Sequence, residues 1–400
     1  MFAGRFFKNY TMKKETHFFI LFFVCLFFFT ACKEKANIPS DVEEIVLDHN
    51  NLVETKDALG IIDSSDYRFV NLETSDNCLI GHIERVWLRG DKFIVYDDLV
   101  QQVLIFNQDG SFYAKVHAVG HGPGEYTQID ACFVGDSYVA IIENGTSKVK
   151  LYSFEGQFIK DISTGDCQGI AYFTFDNEIF YAVNDHDNPM GNCRLFSFGA
   201  NKTNLKTFLH YKEPRSRGWG LRNYYTINNH RALFIVSTVD VIYEVSATGE
   251  AKPAYYVNIK NNKIPNNILL GDSRRALMYS IETGKITGLT NIHETSKHII
   301  LVTSNDAYLF YNKQSKKVDF FTERLQMSTW GNLGIFKQYG HLENDVYIGS
   351  YEAQQFRSYK NMVETKEYKD EKFKNSFEEA INKVESDMDN PILFVTKFLK

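Results

Sequence analysis

The chain has 400 residues, with 44 basic against 50 acidic side chains and a formal charge of −6. Its longest basic runs are pairs such as Arg274-Arg275 and Lys316-Lys317, so it lacks the electrostatic footprint of a nucleic-acid binder. Phe and Tyr together number 56, which favours strands over low-complexity or disordered chain.

The N-terminus reads as an export signal. Arg5, Lys8, Lys13 and Lys14 precede an unbroken apolar run from Phe18 to Phe29. As a helix that run spans about 18 Å, short of the roughly 30 Å hydrocarbon core, so a cleaved signal is expected rather than a membrane span. Thr30-Ala31 before Cys32 resembles a bacterial lipobox, with Phe29 in place of the usual leucine. That resemblance implies residues 1–31 as signal peptide, acylation of Cys32, and a membrane partner through the lipid. Met12 is an alternative start, because Met12 to Cys32 is a complete signal. Lys33 stands where many inner-membrane lipoproteins carry aspartate, which implies outer-membrane attachment facing periplasm or cell surface. Processing removes Arg5, Lys8, Lys13, Lys14 and Glu15 and takes the formal charge from −6 to −9. Residues 32–41 form a polar tether, and residues 42–400 form one domain.

Beyond the tether the pattern is β almost throughout. An aromatic or apolar strand end lies four positions before a glycine at Phe106/Gly110, Tyr152/Gly156 and Val245/Gly249. The first interval is 46 residues and the next glycine follows after 93, two further intervals of nearly equal length. Such a period marks stacked supersecondary units. In the first unit, His82–Leu88, Lys92–Tyr96, Gln102–Phe106 and Phe112–His117 read as four strands of an antiparallel meander, one propeller blade. Further units follow at Thr127–Ile162, Gln168–Leu209, Asn223–Ile259, Lys285–Phe321 and Asn332 to about Tyr368. Lys260–Gly284 interrupts the period; Ile264, Ile268, Leu269, Leu270, Leu277 and Met278 predict a partly helical, packed insertion. Phe373, Phe377, Ala380, Ile381 and Val384 share one helical face. Ile392–Phe398 or Glu44–Asp48 is expected to supply the strand that closes the ring. The expected fold is therefore all-β: a six-bladed β-propeller of four-stranded antiparallel blades, with a short C-terminal helix and a closing strand.

Leu72 to Gly81, Gly122-Pro123-Gly124-Glu125-Tyr126 and the late Asn390-Pro391 resemble the six-bladed β-propeller lipoproteins of Gram-negative gut-type bacteria, related in shape to NHL-repeat and TolB-like propellers. The resemblance spans roughly Glu44 to Lys400. It implies fold and compartment, and no shared activity comes with it.

The remaining motifs have structural readings beside functional ones. Gly120 to Tyr126 is no phosphate loop, since Glu125 falls where the last glycine should be and no helix pattern follows. It reads as a turn between blades, with His121 and Glu125 as candidate ligand contacts. Asp185, His186 and Asp187 place hard ligands at alternate positions, so Ca²⁺ is conceivable, but the EF-hand glycine and glutamate are missing. His117 and His121 straddle a strand end rather than sharing a helix. Arg215, Arg217, Trp219 and Arg222 have the composition of a recognition loop or of a cation–π-stacked surface loop. Cys78, Cys132, Cys167 and Cys193 lack motif spacing and read as free thiols, though four cysteines allow three pairings. No catalytic residue, resident metal or cofactor is assigned.

Two functions stay open. One is a non-catalytic binding or scaffolding lipoprotein for a glycan, peptide or envelope protein. The other is a propeller hydrolase or lyase with a divalent metal at the central channel. They differ in whether polar residues from at least three inner strands converge on the channel mouth, with His82, Glu84, Asp130, Asn228, His293 and Lys337 as candidates.

Overall fold

The middle strands of the first unit are apolar at nearly every position because both faces of the sheet are covered. Phe93, Val95, Leu104 and Phe106 pack on one side with Val70, Ile348, Leu393 and Val395. Ile94, Tyr96, Val103 and Ile105 pack on the other with Val139, Ile141 and Tyr152. Repeating that two-faced burial closes six antiparallel sheets into a six-bladed β-propeller. The computed structural model describes residues 42–400 apart from 165–166, 168, 170, 175–178, 185–192, 211–224, 229–230, 237–238, 248–249, 270, 332, 336–340, 344 and 366. Among the described residues, no helix is long and apolar enough to cross a membrane.

Blade one comprises Arg85–Arg89, Lys92–Asp97, Gln102–Asn107 and Phe112–Val116, innermost strand first. Blade two comprises Ala131–Val134, Tyr138–Glu143, Lys148–Ser153 and Phe158–Ser163; blade three, Ala171–Thr174, Phe180–Val183, Leu195–Phe198 and Lys206–Phe208. Blade four runs through Tyr225–Asn228, Arg231–Ile235, Val241–Ser246 and Ala251–Lys260, and blade five through Leu289–Glu294, His298–Thr303, Tyr308–Asn312 and Lys317–Met327.

The glycine recurrence is the hairpin between the third and fourth strands. Asn107 N donates to Ser111 O at 2.9 Å, Ser153 N to Gln157 O at 2.8 Å, and Ser246 N to Glu250 O at 3.0 Å. Gly110 (φ +90°) and Gly156 (φ +78°) take the left-handed conformation, and a Cβ on either would collide with backbone of the preceding blade, Asn71 O and Lys115 O respectively. Glycine is thus required both by the turn and by blade-to-blade stacking. Gly249 lies outside the described residues.

Ring closure is made by Ile392–Phe398, the first of the two strands expected to supply it, together with an N-terminal strand that was not expected. Ile392–Phe398 is the third strand of blade six, and its outer neighbour is Ile62–Asn71, a strand the period does not announce. The sixth unit is not four consecutive strands. Its first strand, Leu333–Ile335, pairs with Lys317–Met327 of blade five, and His341–Glu343 and Val346–Tyr351 then precede helices α3 (Ala353–Ser358) and α4 (Lys360–Thr365). Glu43–Asp48 closes nothing; it lies parallel to Ala251–Lys260 as a fifth strand of blade four, and Leu52–Asp57 lies parallel to Lys317–Met327 on blade five. The segment from Glu43 to Asn71 therefore covers the outer edges of three successive blades, removing edges that would otherwise template aggregation.

Asn390 locks this closure. Its Nδ2 donates to Glu73 O at 2.6 Å and Cys78 O at 2.7 Å, and its Oδ1 accepts from Ile80 N at 2.8 Å. The Leu72–Gly81 and Asn390-Pro391 motifs are thus two halves of one joint. Beside it, helix α5 (Glu371–Asn382) buries Phe373, Phe377, Ala380 and Ile381 as the periodicity predicts. Phe373 stacks on Trp330 at 4.7 Å and Phe377 on Phe69 at 5.1 Å.

The insertion after blade four contains α1 (Asn266–Leu269) and α2 (Ser273–Thr283), the latter capped by Asp272 and ended by Gly284 at φ +66°. Ile264, Leu269 and Ala276 are buried, but Leu277 and Met278 point outward, contrary to the packed role expected of them. The helix rests on the ring through a narrow stripe, so the remaining apolar side chains have no surface to meet. All four cysteines from Cys78 to Cys193 are free thiols.

Candidate functional site: the centre of the ring

The innermost strands surround the ring axis, and blade one sends the most polar chemistry into it. Val86 and Leu88 face blade six, while Arg85, Trp87 and Arg89 alternate to the other side. The half-buried Arg85 guanidinium lies 5.2 Å from the Trp87 ring centroid and 5.6 Å from that of Tyr225. Tyr225 belongs to the innermost strand of blade four, three blades away, so this contact forms across the channel. The Tyr225 hydroxyl donates to Tyr172 O at 2.9 Å, and its ring packs 4.4 Å from Phe173 of blade three. The Arg85 guanidinium makes no hydrogen bond or ion pair with the side chain or backbone of any described residue. Arg89 is differently placed: Nη1 donates to Leu88 O at 3.0 Å and Nη2 to Val134 O at 3.3 Å, tying blades one and two together.

Two groups near Arg85 are fixed in their neutral forms. Burial, reinforced by Arg85, pushes the His293 imidazole of blade five down to about 3. Burial pushes the Cys132 thiol of blade two up to about 12, against a smaller opposing pull from Arg85. Neither group exchanges a proton near neutral pH. At this level the channel presents a permanent cation between aromatic faces, with a neutral imidazole and a neutral thiol nearby.

The rim above it is acidic. His82 and Glu84 precede the innermost strand of blade one, and Asp98 follows its second strand. His82 Nδ1 lies 2.6 Å from Asp98 Oδ1, and ligand atoms of His82, Glu84 and Asp98 all fall within 4.8 Å of one another. The hydrogen bond to Asp98 raises the His82 pKa against a smaller effect of burial. These three could hold a divalent cation. The geometry around them is set by neighbouring Asp97, fully buried, whose carboxylate accepts from the backbone N of Gly81, His82, Leu99 and Val100 and from Gln102 Nε2, at 2.8 to 3.2 Å.

Of the residues singled out from sequence, His82, Glu84 and His293 do belong to the centre of the ring. Arg85, Trp87, Tyr225 and Asp98 were missed, because a period locates strands without telling which side chains reach the axis. Asp130 is exposed ahead of the innermost strand of blade two. Asn228 ends the innermost strand of blade four. Glu125 is spent inside its own turn, its Oε2 accepting from Gly122 N at 2.7 Å, while His121 is exposed. His117 turns to Gln102 Oε1, 3.3 Å away. Asp185, His186, Asp187, Arg215, Arg217, Trp219, Arg222 and Lys337 lie outside the described residues.

Fold and site together define a six-bladed propeller whose axis is crossed by a stacked arginine. Residues 44–397 match the family described as a domain of unknown function (DUF4934), and the chain belongs to that family. Among solved structures, a Bacteroides fragilis protein inferred to be exported is similar, with a TM-score of 0.69 and 15% identity over 89% of this chain and 100% of that one. At that identity the likeness shows the fold alone. A member of the DUF4221 family from Bacteroides vulgatus gives a TM-score of 0.48 at 9% identity, covering 84% of this chain and 97% of that one. None of the curated proteins matches the chain.

Proposed function

We propose that this chain is an outer-membrane lipoprotein, anchored through Cys32, whose NHL- or TolB-like propeller is a non-catalytic binding module with its ligand seated over the channel centre. The observation that carries this reading is Arg85: a cation held across the ring between Trp87 and Tyr225 with no described polar partner. A guanidinium so placed loses hydration without gaining a protein hydrogen bond, an arrangement that a bound ligand completes. The export-type N-terminus and the likeness to a protein inferred to be exported support the compartment. The propeller hydrolase or lyase alternative, which needs a divalent metal at the channel held by several inner strands, is not adopted: among the described residues the grouped candidate ligands, His82, Glu84 and Asp98, all come from blade one. Glycan, peptide and envelope-protein ligands all remain within this reading, and nucleic acid does not.

Two measurements test it. Cys32→Ala is expected to abolish acyl labelling and release the protein from membranes; unchanged membrane retention defeats the anchor. Incubating the full chain in detergent with glycan and peptide arrays is expected to give binding that Arg85→Gln removes. Blank arrays together with turnover of a lactone or polysaccharide would defeat the binding reading.

A further inference from the structure

Resting on that binding reading, we infer that the channel centre recognises the free carboxylate of a small peptide or amino acid, with Arg85 as the carboxylate-binding residue. A guanidinium stacked between two rings keeps its N–H edge free, because stacking uses only its faces. That edge is a planar fork whose spacing matches the two oxygens of a carboxylate. Trp87 and Tyr225 are both almost fully buried, and Tyr225 is tied by its hydroxyl to blade three, so the fork is held in place before a ligand arrives. Preorganisation of this kind reduces the ordering cost of binding.

The surroundings select among anions. Glu84 and Asp130 are exposed and directly precede the innermost strands of blades one and two, Glu84 next to Arg85 itself, and Asp98, paired with His82, lies beside Glu84. A dianionic phosphate or a polyanionic glycan must pass these like charges and leave part of its own charge beside them. A single carboxylate attached to an ammonium or to uncharged amides meets complementary charge at both levels: Arg85 below, Glu84 and Asp98 above. His293, neutral under all ordinary conditions, adds no second cation that would favour a dianion. This pattern, one inner cation under an acidic rim, fits a zwitterion.

The test uses the full chain in detergent and an equimolar tripeptide mixture prepared twice, once with free C-terminal carboxylates and once amidated. Bound peptide is read by mass spectrometry after rapid gel filtration and by the change in tryptophan fluorescence that is lost in Trp87→Phe, Trp87 being, of the three tryptophans, the one that among the described residues touches the Arg85 guanidinium. The expected result is binding of the free acids, at least about tenfold weaker binding of the amides, and loss of that discrimination in Arg85→Gln, the scale of a charge-assisted hydrogen bond. Arg85→Lys keeps the charge and loses the fork, and is expected to weaken binding while retaining preference for the acid. Inorganic phosphate is expected not to compete. Equal binding of acids and amides, no binding of either, or competition by phosphate overturns the carboxylate assignment. Retained Arg85-dependent capture on glycan arrays in that event would leave the broader binding reading standing; blank arrays would remove both. Thermal melting of each variant separates loss of fold from loss of binding.

Discussion

Blades one and two are built to the same register, and they differ where they face the axis. Arg85 pairs with Tyr96 as Ala131 pairs with Ile142, and Glu84 N donates to Tyr96 O as Asp130 N donates to Ile142 O, both at 3.0 Å. Each second strand ends in a buried acid that holds the connection into its blade: Asp97 takes the backbone of Gly81 and His82, and Glu143 takes that of Thr127 at 2.9 Å. Each blade also has its glycine turn against the preceding blade. At matching positions, however, blade one has Arg85, His82 and Asp98 where blade two has Ala131, Gln128 and Asn144. The shared positions are scaffold. The substituted ones are where the proposed binding site departs from that scaffold.

That division can be broken experimentally. Asp97→Ala and Glu143→Ala are expected to cost about 3 kcal/mol each in urea unfolding, with Asp97 the larger because five donors lose their acceptor. A loss below about 1 kcal/mol in either would show that the acid is no lock. Gly110→Ala and Gly156→Ala come next, at about 2 kcal/mol, from left-handed backbone plus the collision with Asn71 or Lys115. If only one of the pair is costly, the turns are not equivalent. Arg85→Ala should change stability by less than about 1 kcal/mol, since it gives up stacking alone, and a large loss would move Arg85 from the proposed site to the scaffold. The smallest effect is the His82–Asp98 pair. Because Asp98 raises the His82 pKa, the pair's contribution is complete below the ordinary histidine value of about 6.5 and fades as pH rises through the raised one. An NMR titration should show His82 returning toward its ordinary value in Asp98→Asn; an unmoved titration would mean that no such pair forms.

How much was legible in advance follows the range of the interactions. The strands of blade one were readable within a few residues because apolar runs and glycine turns are local. Helix α5 was readable for the same reason. Ile62–Asn71 was not, because its partner Ile392–Phe398 lies more than 300 residues away and neither strand announces the other. Leu277 and Met278 were misjudged because an apolar side chain in a helix says nothing about whether a neighbour exists to cover it. His82 and Glu84 were found as polar residues beside an inner strand, whereas Asp97 and Asp98 look alike in sequence. One is fully buried and saturated with donors while the other pairs with a histidine at the rim.

The amino-acid sequence by itself determined the blade period, the strand content, the glycine hairpins and the C-terminal helix, all of which depend on neighbours within a few residues. Tertiary structure decided which strands close the ring and which side chains meet on its axis. Arg85 and Tyr225 are 140 positions apart and touch only because six blades bring opposite inner strands to one channel. Nothing local encodes that meeting, and the site exists only once the ring is closed.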